Sequence, residues 1–331
     1  MIEPSSHSMK TSRMQITKLL VILGVSVFAQ SQIRAATLVN LRFNEGDGLT
    51  TVNAGTSGGV GAFSQQNGFP IFATSIPTGP FTPRGNTSSI DFGPVVAGDG
   101  GRAIDFPPET AAPTFGLTRF TATGWLNLRS DQIGPGGNRI ITTWPGEFGS
   151  TRGGFEVVQE SSGRLRLGVN EAPDFPGPGP FSSFDRLTID PNTSDTNWVF
   201  FAITYDAGDL VDTGDGTVNF YFGNGSTLAT LDTTASYDRG AILNVAPGKS
   251  ETLTVGNFTI DVTARFETGG GARIIRGLVD ELAVFDTVLS ETEIRAVQTI
   301  PEPGSALLAM LTAAGIVVVT RTRRVVRKRD L

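Results

Sequence analysis

Paired carboxylates and loop aromatics are the only side chains in this sequence whose types and spacing could carry chemistry. There is no Cys, and the one His is His7. All four methionines (Met1, Met9, Met14 and Met310) lie with His7 in the two terminal segments. If both segments are removed, no imidazole, thiol or thioether is left. That excludes a Ser-His-Asp or Cys-His nucleophile, a His/Cys zinc site, and haem or copper ligation. Glycoside hydrolysis stays open, because it needs only two carboxylates roughly 5–9.5 Å apart. Acids at alternate positions of one strand would share a face, but no such row is read here. Asp280 and Glu281 are adjacent and point to opposite faces, while Glu45 and Asp47 fall in a Gly-rich turn. No catalytic residue is assigned.

Calcium accepts six to eight oxygens, including backbone carbonyls, so a loop with few carboxylates can hold it. Asp206, Asp209, Asp212 and Asp215 crowd one loop between two apolar runs, without the register or distal Glu of an EF-hand. A second arrangement pairs Glu45 with Asp280, if the opening and closing strands lie side by side. No cofactor is required by the sequence; a structural calcium ion is the only one it suggests. Sugar binding needs exposed aromatic faces beside a few polar groups. Trp125 and Trp198 read as core packing. Trp144 and Phe148 lie in the turn-rich Trp144-Pro145-Gly146-Glu147-Phe148, and Phe175, Phe181 and Phe184 lie in a Pro-rich loop. Trp144, Phe148, Phe175 and Phe181 are the candidate ligand-binding rim.

These residues need a scaffold of many turns. The 331 residues include 41 Gly and 19 Pro, and only 18% are charged. That composition disfavours long helices and suits an all-β chain. Short alternating or apolar runs read as strands at 38–43, 119–128, 139–143, 154–159, 164–169, 198–205, 217–222, 226–231, 252–255 and 277–285. Gly223-Asn224-Gly225-Ser226 is a hairpin signal. Ser290-Glu291-Thr292-Glu293 is a capping box that starts a short helix, with Ile294 and Val297 on its apolar side. The stretches 55–100 and 170–184 read as enlarged loops. Residues 37–300 carry 16 basic and 29 acidic side chains, a net charge of −13. Such a surface repels phosphate backbones, so nucleic acid is not an expected partner.

The ends of the chain read as address labels. Lys10, Arg13 and Lys18 precede the apolar run Leu19–Ala29, the pattern of a secretory signal peptide within 1–36, removed by signal peptidase. Pro301-Glu302-Pro303 precedes the apolar stretch Ser305–Thr320, about 24 Å long as a helix, and then six basic residues between Arg321 and Arg329. The helix is short for a core of about 30 Å, and the basic end should stay cytoplasmic. Both ends thus give the same orientation, with the middle exported.

The triplet, short helix and Arg-rich end of 301–331 resemble the PEP-CTERM sorting signal of Gram-negative bacteria. That resemblance implies processing at Pro301, Glu302 and Pro303 by an exosortase. It also implies a transient inner-membrane anchor and a final place at the cell surface, in exopolysaccharide or in the medium. Across 37–300, six segments in order resemble the laminin-G-like, concanavalin-A-like jelly-roll family. They are Leu41–Leu49, Gly101–Phe106, Phe120–Leu126, Asn197–Asp206, Asn219–Gly225 and Gly277–Ile294. The resemblance implies an antiparallel two-sheet jelly-roll sandwich with a short C-terminal helix, separate from the hydrophobic tail helix. The expectation that follows is a non-catalytic surface module binding polysaccharide or a surface protein. A carboxylate-dependent glycoside hydrolase and a purely structural matrix component are the alternatives.

Overall fold

The computed structural model describes residues 35–64, 69–93, 102–129, 137–143, 153–170, 179–189, 194, 196–209, 215–244, 252–257 and 274–299. In chain order the strands are β1 (Thr37–Leu41), β2 (Thr50–Val52), β3 (Val60–Phe63), β4 (Ile71–Ala73), β5 (Ser89–Asp91) and β6 (Ile104–Phe106). After helix α1 (Pro108–Ala111) come β7 (Arg119–Leu128), β8 (Asn138–Thr142), β9 (Phe155–Glu160), β10 (Arg164–Val169) and β11 (Val199–Asp206). The chain continues with β12 (Thr217–Asn224), β13 (Thr230–Ser236), β14 (Leu253–Val255), β15 (Gly277–Phe285) and helix α2 (Glu291–Thr299). One sheet has the order β13-β12-β11-β7-β15-β5-β4, with β1 also paired to β15. The other has the order β10-β9-β8-β14-β6-β3-β2. All named strand pairs are antiparallel, and the two sheets form the expected sandwich.

Period-two alternation builds the core. In β7, Phe120, Ala122, Leu126 and Leu128 enter the cluster between the sheets, and in β11 Val199, Phe201, Ile203 and Tyr205 do so. The second sheet answers with Phe106, Phe155, Val157, Leu165 and Leu167. Phe120 packs at 5.1 Å from Phe155 and at 5.4 Å from Tyr205, tilted in both cases as aromatic quadrupoles prefer. Burial pushes the Tyr205 phenol up to about 12, although its oxygen accepts from Arg239 N at 3.1 Å.

The alternate residues of β7 and β11 (Thr121, Thr123, Trp125, Phe200, Ala202) are buried too, although they point away from that core. Segment 286–299 covers them. Leu289 donates its N–H to Thr121 Oγ1, which donates to the Thr287 carbonyl at 2.7 Å. Helix α2 begins at the expected capping box, where Ser290 Oγ donates to Glu293 Oε2 at 2.7 Å. That contact holds the Glu293 carboxyl below the usual range. Ile294 is fully buried. The unforeseen anchor is Gln298, also buried, which accepts from Ala229 N and donates to the Asn224 and Thr227 carbonyls.

Three expectations need correction. The stretch 55–100 holds β3, β4 and β5 and is not a plain loop; these strands are only three or four residues long, too short to show a period among Gly and Ser. The hairpin at 223–226 exists, but its second strand starts at Thr230. Asn224 Oδ1 accepts the N–H groups of Ser226 and Thr227, an Asx-type turn that lengthens the loop. Gly225 is needed there because a Cβ would stand 1.8 Å from the Thr78 carbonyl oxygen. Trp125 and Trp198 are buried as expected, yet neither belongs to the core cluster between the sheets.

Candidate functional site

Loop 179–189 spans the open side of the sandwich between the edge strands β10 and β13. On the β10 side, Ser182 N donates to the Leu165 carbonyl and Leu167 N to that of Pro180. On the β13 side, Ser183 N donates to Asp232 Oδ2 at 2.8 Å, and Arg186 Nε pairs with Asp232 Oδ1 at 2.6 Å. The Asp232 side chain is only 3% exposed, so one sunken carboxylate ties the loop to the far sheet. Gly163 and Ser162, in the β9–β10 turn, fix the remainder by accepting from Asp185, Arg186 and Leu187.

That clamp presents two phenyl rings around one cation. The Arg164 guanidinium carbon lies 4.4 Å from the centroid of Phe181 and 4.4 Å from that of Phe184. Phe181 is half-buried, and Phe184 is 60% exposed. Arg164 Nε is buried with no hydrogen-bond partner among the described residues. A phenyl so exposed on an anchored loop costs apolar hydration unless something covers it. The patch offers a flat apolar face beside N–H donors, the combination that recognises a sugar ring. Of the expected rim, Phe181 alone is among the described residues. Trp144, Phe148 and Phe175 lie outside the described residues, as do Asp212 and Pro301, Glu302 and Pro303 with the apolar stretch after them. Among the described residues no helix is long and apolar enough to cross a membrane.

The acidic candidates have local tasks. Asp206 Oδ1 accepts from Arg119 Nε at 2.9 Å and from Gly208 N at 3.0 Å. The exposed Asp215 carboxylate accepts from Asp209 N at 3.0 and 3.1 Å. Strands β1 and β15 do pair, but they do not leave Glu45 and Asp280 free for one ion. Exposed Glu45 accepts from Thr51 Oγ1 and Val52 N at its own turn. Asp280 is fully buried and accepts from Asn86 Nδ2 and, at 2.8 Å, from Glu281 N. Burial, with the neighbouring Glu281 charge, raises the Asp280 carboxyl well above its ordinary range. Both of its oxygens already accept from protein N–H groups. Among the described residues no group of three or more His, Cys, Asp or Glu could hold a metal ion.

One strand does carry two acids on one face, contrary to the sequence reading. Glu156 and Glu160 are four apart on β9, a spacing missed by a search for acids at alternate positions. Arg166 binds both, at 3.2 Å to Glu156 and 2.8 Å to Glu160, and Arg139 adds a contact of 3.0 Å to Glu156. The side chains of Arg139 and Glu156 are 0% and 2% exposed. The pair therefore builds a sealed ionic cluster, not an open cleft.

No protein-family model matches the chain, and no curated protein matches it. Solved structures that match in shape include domain 4 of the GH43 extracellular arabinanase AbnA from Geobacillus stearothermophilus, in complex with arabinotriose. It is 13% identical with a TM-score of 0.46, over 80% of this chain and 98% of that one. The receptor-binding domain of botulinum neurotoxin C/D mosaic serotype is 12% identical with a TM-score of 0.46, over 80% of this chain and 51% of that one. The present chain thus spans about half of that toxin chain. The CBM40 of the Ruminococcus gnavus IT-sialidase is 14% identical with a TM-score of 0.41, over 63% of this chain and 96% of that one. The strand ladders above establish the sandwich; these likenesses assign neither family nor ligand.

Proposed function

We propose that this protein is an exported, non-catalytic sandwich module that holds polysaccharide on loop 179–189. The observation that carries the reading is Phe184, 60% exposed on a clamped loop with Arg164 over its ring. A pyranose C–H face stacks on Phe184 while its hydroxyls accept from neighbouring N–H groups. Catalysis is not part of the reading, because Glu156 and Glu160 are each engaged by a guanidinium group. Export rests on the basic and apolar N-terminus and on Pro301-Glu302-Pro303 with its helix and Arg-rich end. On this reading signal peptidase and an exosortase trim the chain, which ends at the cell surface or in matrix.

Retention on immobilised polysaccharides, followed by reducing-end release, tests the binding half. Phe184→Ala should weaken retention about tenfold, or about 1.4 kcal/mol, with little change in Tm. Equal retention by the variant refutes the platform, and release of reducing ends refutes the non-catalytic reading. Intact mass of the exported form tests the other half. A start between residues 30 and 37 and an end near Pro303 are expected, and recovery of Arg321–Leu331 in that form would refute processing.

A further inference from the structure

A concavity lies away from that loop, on the outer face of the sheet that α2 covers. It holds about 130 Å³. Its floor is the edge-to-face pair of Trp125 and Phe200, with ring centroids 5.4 Å apart, and Val297 of α2 closes one side. Asn40, Arg42 and Glu281 supply the polar wall. The sequence reading assigned none of them to a site except as neighbours of Glu45 and Asp280.

Three features mark this place as built. First, Arg42 is half-buried and makes no ion pair among the described residues, and its Nε is sealed from water without a hydrogen-bond partner there. A guanidinium taken partly out of water without a counter-charge is unfavourable, and an anion received by its terminal N–H groups lowers that cost. Second, β15 carries a bulge between Asp280 and Ala283 at the point where its neighbour changes from β5 to β1. Glu281, within the bulge, has φ +46°, a left-handed conformation disfavoured for Glu. Bulges re-aim side chains, and this one sets a carboxylate-bearing residue on the pocket wall. Third, the wall mixes a cation, an anion and an amide above an aromatic floor. That arrangement discriminates by chemistry rather than by apolar contact alone.

We propose that this pocket binds a carboxylate bearing a neighbouring hydroxyl group, its carboxylate received by Arg42 and its hydroxyl donated to Glu281 or Asn40. Guanidinium matches a planar carboxylate in two parallel hydrogen bonds, which a neutral sugar lacks the charge to replace. The negative Glu281 selects against an anion with no donor to offer it. The volume suits the acid-bearing end of a ligand and not a whole oligosaccharide, since one liquid water takes about 30 Å³. A free hydroxy acid and a hexuronate residue of an acidic polysaccharide share this chemistry.

Calorimetric titration of the full chain with galacturonate, lactate and galactose at neutral pH tests it. Binding of galacturonate, at least tenfold tighter than galactose and reduced at least tenfold by Arg42→Gln, is expected. Lactate binding as tightly as galacturonate assigns the site to the hydroxy-acid end alone, and preference for galacturonate shows that the ring is read as well. Two variants guard against a folding artefact. Glu281→Gly, which relieves the left-handed strain, should raise Tm while losing affinity. Ala283→Leu, which fills the pocket from its wall while keeping Arg42, should abolish binding without unfolding the chain. No binding of either acid, equal binding of galactose, or unchanged binding by Arg42→Gln overturns the proposal. Phe184→Ala should leave the titration unaltered, so this test stands apart from that of the loop platform.

Discussion

Replacing Asp280 by Asn should abolish the pH dependence that this one carboxyl imposes on folding. Asp280 is fully buried, and desolvation first, then the charge of Glu281, raises it well above 3.8; the hydrogen bonds from Asn86 and Glu281 N only partly oppose this. The sign follows from linkage. Above 3.8 the unfolded chain releases this proton, whereas the native state keeps it, so native binds more protons than unfolded. Stability from this group is therefore complete below about 3.8 and is lost as pH rises toward the native value. The loss runs at about 1.4 kcal/mol for each pH unit inside that window.

Asp280→Asn removes the titration and keeps the shape. The new side-chain oxygen can still accept from Glu281 N. The Asn86 Oδ1, buried without a partner among the described residues, is available to the new amide. Denaturant unfolding at pH 4.5 and 5.5 is the assay, with the free-energy difference between variant and parent as the readout. Other titrating groups cancel in that difference. The variant should gain on the parent by about 1.4 kcal/mol over that unit. A difference that stays constant with pH, or that moves in the parent's favour, would refute the argument that Asp280 is held protonated.

Arg139→Ala strips a buried charge from the Glu156 cluster and should cost about 3–5 kcal/mol in denaturant unfolding; a cost below about 1 kcal/mol would show that the cluster is hydrated. Ser290→Ala removes the cap of α2 and should cost about 1 kcal/mol, read by thermal melting. Phe184→Ala should weaken polysaccharide retention about tenfold at nearly constant Tm, because the ring is mostly outside the core. Arg42→Gln should weaken galacturonate binding at least tenfold and leave that retention intact.

Local order was legible wherever one strand carries enough residues to show its period. Phe120, Ala122, Leu126 and Leu128 mark the face of β7 toward the second sheet without any knowledge of that sheet. The capping box at Ser290 is equally local, since both partners lie within four residues. What stayed hidden depends on elements far apart in sequence. Trp125 reads as core because it is a large apolar residue in an apolar strand, yet it shares the face of Thr121 and Thr123; only α2, more than 160 residues later, decides that its burial is against a helix and beside a pocket. Gln298 looks like a solvent-facing helix residue until the 224–229 loop arrives to use its amide. Glu156 and Glu160 escaped for the opposite reason. Val158 between them breaks the acidic row, and the arginines that join them come from β8 and β10.

Arg42 and Arg164 show how the same ambiguity bears on function. Each sits beside a core leucine in a strand-like run, and parity alone places each on the side opposite that leucine. One ends between two phenyl rings of a loop clamped by Asp232, the other on a pocket wall beside a strained glutamate. In both, the guanidinium has a buried Nε with no hydrogen-bond partner among the described residues, whereas Arg119, Arg129, Arg139, Arg166, Arg186 and Arg295 all have carboxylates. Among the described residues no carboxylate pairs with either cation, although the domain is acidic. Pairing them internally would have lowered the cost of their burial but also occupied the donors that an acceptor-rich ligand needs.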